Sequence, residues 1–471
     1  MNYALGLDFG TESARAVLVS VAMGETVATA VHAYADGVID EALPGDAKPL
    51  PLDWALQNPA DWLIALEAIV PAVLAGGGVA PESVVGVGLD FTACTVLPTT
   101  TDGTPLCTLD AYRDRPHAWA KLWKHHAAQP QADRVNELAA TRNEPWLARY
   151  GGKISSEWLM PKALQLLEEA PDLYHTADRI VEGGDWVAWQ LSGTLARNAC
   201  AAGYKATWHK ADGYPSPDFL ANLHRDLAGL YTDKFAGPVA APGQRVGGLT
   251  DEWAARLGLV AGTPVAGPII DAHAAVLGGG VSGPGTMFMI MGTSTCHMLM
   301  AGEEMPVEGI AGVVEDGIVP GFFGYEAGQA GSGDILAWFV EHSVPPAYHR
   351  EAADRGLSLH DLLTEKASTL QPGQSGLLAL DWWNGNRSTL VDAGLSGLLL
   401  GCTLGTRAEE IYRALVEATA FGTRVITEAF SGQGIPVEAI VTGGSLTKNP
   451  MLMQIYADVT GREMAISGEE Q

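Results

Sequence analysis

The chain has 471 residues, 47% hydrophobic and 18% charged, with a formal net charge of -27. That length exceeds what one hydrophobic core organises and implies two domains or three, while the composition excludes a disordered chain. The acidic balance argues against duplex nucleic acid as a partner, because phosphate neutralisation needs clustered Lys and Arg; an anionic ligand would need a locally positive site made from Mg²⁺ and main-chain N–H groups.

The N-terminal "MNY" runs straight into an apolar strand, with no basic n-region or cleavable apolar stretch. No uninterrupted apolar run is long enough to span a bilayer. "YALGLDFG" and "SARAVLVSV" read as two strands joined by the turn "GTES". The letters "GLDF" recur at residues 88–91, again where an apolar strand ends at an Asp. A mixed region of strands and helices follows. "VGGLTDEWAARLGLVAGTPV" then predicts a short helix feeding a new strand, and the domain boundary is expected there, near residue 258. At "TMFMIMGTSTCHMLMA" the strand, Gly-Thr turn, strand pattern returns, with Ile290 standing where the first hairpin has Asp8. Helical spacing runs through "RAEEIYRALVEATAFGTRVITEAF" until "GQG" stops it; the strand "VEAIVTGG" and a helix from "NPMLMQIYADVTG" complete the pattern. Strands alternating with helices in two similarly built halves predict an α/β protein. The 56 Gly and 27 Pro are spread between these elements as short connections. The five cysteines are scattered and never form a CxxC pair, which points to a reducing cytoplasm without disulfides or a zinc site.

Four stretches carry candidate chemistry, each with an ordinary structural alternative. In "DFGTES", Gly10 allows close backbone approach, and Thr11, Ser13 and the turn N–H groups suit phosphate oxygens. Asp8 suits Mg²⁺ and Arg15 a charge-assisted bond to phosphate, although alone the stretch reads better as a plain hairpin. Asp271 follows an apolar strand and opens a helix, where exposed N–H groups and the helix dipole keep a carboxylate ionised and able to accept a hydroxyl proton. Asp is equally a common N-cap. "IVTGGSLTKN" delivers a double glycine before a helix, giving a flat ring bare backbone to lie on, or simply a strand-to-helix turn. The tryptophans of "LDWWNGNR" and "SSEWLMPK" suit sugar stacking or a core.

Taken together these motifs resemble the FGGY carbohydrate kinases, a branch of the actin-like ATPase superfamily. "GLDFGTES", "MGTSTC", "DAH" and "GGSLTKN" match the family broadly. "DFTACT", "LWKHH", "GGKISSEW", "GYKATWH", "YEAGQAGSGD" and "LDWWNGNR" match, in order, the branch that phosphorylates L-ribulose. The resemblance covers essentially the whole chain. It implies two actin-like (ribonuclease H-like) α/β domains flanking a deep catalytic cleft, with residues 1–258 on the sugar, phosphate and Mg²⁺ side and 259–471 on the nucleotide side. The implied reaction is ATP-dependent phosphorylation of L-ribulose at its 5-hydroxyl. Asp271 would be the general base; Ala93, Lys205, Asp271 and Glu326 would contact the sugar. Gly10, Thr11, Ser13, Arg15, Gly292, Thr293, Ser294, Gly443, Gly444 and Asn449 would contact the nucleotide, and Asp8 the Mg²⁺. On this reading the two "GLDF" copies form two walls of one cleft. Phosphoryl transfer needs an aligned hydroxyl and exclusion of water, which closure of such a cleft supplies. The implied partners are the small sugar and ATP, with no nucleic acid or membrane, and family precedent allows a homodimer. A kinase for D-ribulose, xylulose or another polyol, or a non-catalytic sensor on the same fold, are the alternatives; intact Asp8 and Asp271 count against the sensor. The sequence departs from the family at its end: the strand after "ADVTGREM" there leads into a further turn and helix, whereas this sequence stops at "AISGEEQ", so a truncated second domain is expected.

Overall fold

The structure is a computed structural model that describes residues 1–468. It divides into two compact units: Met1–Leu147, Lys153–Ala274 and Val314–Gly321 in the first, Ala148–Gly152, Ala275–Val313 and the chain from Phe322 onward in the second.

In the first unit β1 (Tyr3–Phe9), β2 (Ser13–Ser20) and β3 (Thr26–Ala33) form an antiparallel meander. The short β4 (Leu56–Gln57) precedes α1 (Pro59–Gly77). Asn58 caps α1 by accepting from the Ala60 N–H, Pro59 pre-sets its first turn and Gly78 ends it with a left-handed backbone. The helix is long and apolar enough to cross a bilayer by length and composition, but Trp62, Leu66, Ile69, Val70 and Val73 are packed into the unit's core. Then follow β5 (Val84–Phe91), β6 (Val96–Thr99), β7 (Ala120–Lys121), α2 (Leu159–Glu169), β8 (Arg179–Glu182), α3 (Gly183–Ser192) and α4 (Ala199–Ala206). The unit closes with β9 (Arg245–Gly248), α5 (Asp251–Leu257), β10 (Pro264–Ala266), β11 (Ile269–Ile270) and the start of α6 (Asp271–Gly278).

The main sheet is seven-stranded, in the order β9-β10-β5-β1-β2-β3 with β11 alongside β5. A four-stranded sheet, β4-β7-β6-β8, stands apart from it. Period-two alternation in β1 and β5 sends Leu5, Leu7, Phe9, Leu89 and Phe91 into one core with Trp62, Trp186, Trp253 and Leu257. Gly258, near the expected boundary, is the left-handed C-cap of α5. Trp253 and Leu257 belong to the first core, and the chain leaves that unit after Ala274.

The second unit repeats the plan. β12 (Gly285–Met291), β13 (Thr295–Ala301) and β14 (Phe323–Gln329) are antiparallel neighbours. α7 (Gly333–His342) and the long α8 (Ala408–Gly432) follow, then β15 (Val437–Gly443), α9 (Pro450–Thr460) and β16 (Glu463–Ile466). β15 lies parallel between β12 and β16. The apolar stripe of α8, with Tyr412, Leu415, Val416, Ala420, Ile426 and Phe430, shares a core with Met287, Met289 and Met291 of β12.

Candidate active site

β1 and β5 run parallel and in register, so Gly6 faces Gly88, Leu7 Leu89, Asp8 Asp90 and Phe9 Phe91. The two "GLDF" copies, expected as two walls of one cleft, are therefore adjacent strands of one sheet. Phe9 and Phe91 stack on the core side, with ring centroids 5.2 Å apart, and alternation sends Asp8 and Asp90 to the other face. β11 pairs Ile269 with Asp90 and Ile270 with Phe91, so Asp271 emerges at the same carboxyl end as the first residue of α6. Three carboxylates thus gather in one corner of the first unit. The Arg15 guanidinium bonds the Asp8 Oδ2 at 2.6 Å. Burial, then the charges of Asp8 and Asp271, push the Asp90 carboxyl well above the usual range, and a hydrogen bond to Asp8 adds to it. The Asp90 Oδ1 is buried without a hydrogen-bond partner. Asp271 Oδ1 accepts the Ala272 N–H at 2.6 Å.

The turn after Asp8 is tight: the Gly10 N–H donates to the Ser13 carbonyl at 3.0 Å, and a Cβ on Gly10 would sit 3.2 Å from that oxygen. Thr11 is held from outside the hairpin. The Trp123 indole Nε1 donates to its hydroxyl at 3.1 Å and Gln57 Nε2 to its carbonyl at 2.7 Å. Ala93 is half-buried in the loop after β5, beside a small cluster of Cys200, Ala201, Tyr204 and Ile270. Lys205, at the end of α4, is 6% exposed. Its Nζ lies 5.7 Å from the Trp158 ring centroid and 5.9 Å from that of Tyr204, so the tryptophan of "SSEW" is a buried ring flanking the lysine. Lys162 of α2, 1% exposed, donates to Cys94 and Leu122 carbonyls at 2.7 Å each and to that of Lys121 at 3.4 Å. One ammonium thereby joins the Ala93 loop to the "LWKHH" segment.

In the second unit the turn Gly292-Thr293-Ser294 closes through the Gly292 N–H on the Ser294 carbonyl at 3.0 Å. The start of α7 backs it: Gly333 N–H donates to Gly292, and Ser332 and Asp334 N–H groups to the Thr293 carbonyl. Beside it Gly443 pairs with Ile290. Gly444 has φ 96°, and a Cβ there would lie 2.5 Å from the Met291 carbonyl oxygen. Asn449 spends its side chain on structure, capping α9 through the Leu452 N–H and donating to Thr364 at 3.0 Å. Glu326 on β14 is buried and bonds the Arg387 guanidinium at 2.8 Å. Arg387 crosses Gly328, whose missing Cβ would meet its Cδ at 3.1 Å, and Gln329 donates to Asp381 at 2.6 Å. The "LDWWNGNR" segment is thus tied to β14, and Trp383 is half-buried against the core.

The sequence motifs contained Asp90, Trp123 and Lys162 without assigning them a role, and Gln57 lies outside every motif. The repeat of "GLDF" was the available signal for Asp90; the others emerge only from long-range contacts.

The fold matches solved kinases. The chain superposes on xylulose kinase from Rhodospirillum rubrum with a TM-score of 0.81 at 21% identity, covering 99% of this chain and 86% of that one. It superposes on Plasmodium falciparum glycerol kinase with ADP at 0.77 and 17% identity, covering 100% and 87%. Models of the N-terminal and C-terminal domains of the FGGY family of carbohydrate kinases match residues 3–278 and 287–471, and the chain belongs to that family. A ribulokinase from Bacillus licheniformis is 55% identical over 460 residues, 98% of this chain and 83% of that protein.

Proposed function

We propose that this protein transfers the terminal phosphoryl group of ATP to the 5-hydroxyl of L-ribulose. The observation that carries the chemistry is the register that gathers Asp8, Asp90 and Asp271 at one end of a parallel strand pair; the 55% identical ribulokinase supports the choice of sugar. In this reading Asp271 accepts the proton of the attacking hydroxyl, its carboxylate oriented by the Ala272 N–H. Lys205, its ammonium within about 6 Å of the Trp158 and Tyr204 ring centroids, donates to the sugar. Ala93 leaves room for the sugar, and Glu326, held by the Arg387 guanidinium at 2.8 Å, accepts a sugar hydroxyl. Gly10, Thr11, Ser13 and Arg15, with Gly292, Thr293 and Ser294, offer N–H, hydroxyl and guanidinium donors to phosphates. Gly443 and Gly444 offer bare backbone to the nucleoside, and Asn449 borders it through main chain.

The donor set fits Mg²⁺, a hard cation that takes one or two carboxylates together with phosphate oxygens. Asp8 is half-exposed and Asp90 has an orphaned buried oxygen. Asp8 and Asp90 would hold the ion, which neutralises phosphate charge when bound. The five cysteines are all free thiols, in keeping with a cytoplasmic protein; a homodimer is the assembly we assign by family precedent.

The test is turnover on a panel of sugars with ATP and Mg²⁺. L-ribulose should give a higher kcat/KM than D-xylulose or glycerol, and equal or better use of either overturns the substrate assignment.

A further inference from the structure

Thr11 sits at the tip of the first hairpin, 112 positions from the tryptophan that bonds it. An indole N–H donates and never accepts, whereas a threonine hydroxyl carries one proton and two acceptor sites. With Trp123 Nε1 donating to its oxygen at 3.1 Å, Thr11 has an acceptor site filled and its own proton left to give. Gln57, 1% exposed, fixes the backbone of the same residue by donating to its carbonyl at 2.7 Å. Trp123 is in turn placed by its neighbour: the Leu122 carbonyl accepts from buried Lys162 at 2.7 Å. The tip is therefore oriented by a chain of polar contacts from α2 through the "LWKHH" segment.

We infer that Trp123 is a positioning residue for the nucleotide, acting through Thr11, whose hydroxyl it presets as a donor to a phosphate oxygen. The inference deepens the kinase reading and rests on it. A preset donor gains more from an anionic acceptor than a freely rotating one, because no competing orientation has to be given up on binding. Trp123→Phe keeps the ring and removes the single N–H.

The experiment measures Mg²⁺-ADP affinity by calorimetry and steady-state rates with L-ribulose for wild type, Trp123→Phe, Thr11→Val and the double variant. Loss of one such hydrogen bond predicts ADP binding weakened about three- to tenfold in Trp123→Phe, with KM for ATP rising in parallel and KM for L-ribulose unchanged. In the Thr11→Val background, Trp123→Phe should add nothing, since the partner is already gone. Gln57→Leu, a second route to the same tip, should weaken ADP in the same direction. Wild-type ADP affinity in Trp123→Phe, or full additivity with Thr11→Val, overturns the inference while leaving the kinase reading intact. A wild type that neither binds Mg²⁺-ADP nor turns over overturns the reading itself. Unequal melting curves are controlled by the sugar KM: a merely loosened fold raises both KM values.

Discussion

The hairpins β1–β2 and β12–β13 are built alike and differently equipped. Each ends in a Gly-Thr turn closed by the glycine N–H, and each lies beside one parallel strand. In the first, the paired positions next to the turn are Asp8 and Asp90; in the second they are Ile290 and Gly443. One step on, Phe9 stacks on Phe91, whereas the Met291 carbonyl closes on bare Gly444. The first turn is steadied by side chains, Trp123 and Gln57, and the second by main-chain N–H groups at the start of a helix. A single scaffold thus carries paired carboxylates in one copy and bare backbone in the other.

The largest effect that sharpens this contrast is expected from Asp271→Asn. Removing the charge at the first unit's carboxylate corner should lower kcat by about 10²–10⁴, with sugar affinity changed far less because Lys205 and Glu326 remain. Asn caps a helix about as well as Asp, so a kcat within a few-fold of wild type in the folded variant assigns Asp271 to capping and moves the base elsewhere.

Ile290→Asp gives the second hairpin the carboxylate of the first. It should not create a second metal site; it should repel phosphate and weaken Mg²⁺-ADP about tenfold, roughly 1.4 kcal/mol. Calorimetry showing tighter binding would break the division of labour. Gly444→Ala tests the bare backbone: at φ 96° with a Cβ 2.5 Å from a carbonyl, it should cost about 1–3 kcal/mol. The thermal midpoint should then fall by several degrees, and an unchanged one shows that the turn can relax.

The smallest effect concerns buried charge in the first unit. Burial first, and the neighbouring Asp185 second, push the Glu182 carboxyl up to about 8. A carboxyl raised in the fold contributes stability that is complete below its unfolded value and is lost as pH rises through about 8. Glu182→Gln should therefore gain on wild type in thermal midpoint between pH 5 and pH 9, measured by calorimetry across that range; a constant difference shows that Glu182 titrates normally.

Much of this was legible in the sequence because it is local. Both hairpins, the helix opening at Asp271, the long helix before "GQG" and the double glycine before α9 follow from periodicity and turn chemistry over short windows. What was not legible depends on pairing between distant segments. Nothing in "GLDFTACT" says that its strand lies in register beside "GLDFGTES", so the sequence alone singles out Asp8 without Asp90 and reads the copies as two walls of one cleft. Trp123 is one tryptophan among thirteen in the sequence, and only the fold puts its indole on Thr11. The boundary expected near residue 258 falls at the Gly258 cap of α5, and only packing reveals that Trp253 and Leu257 belong to the first core.

Lys162 spends its ammonium on the carbonyls of Cys94, Leu122 and Lys121 and on no side chain of those segments. Every residue type carries a carbonyl, so the anchoring is indifferent to what the loop displays. Substitution at half-buried Ala93 removes none of these bonds, which decouples the path of the loop from the side chain displayed there. The loop is in that sense an exchangeable face on a fixed mount. A library at position 93 should therefore keep the clasp in every member, and its folded fraction should fall with side-chain size as the cluster of Cys200, Ala201, Tyr204 and Ile270 is crowded.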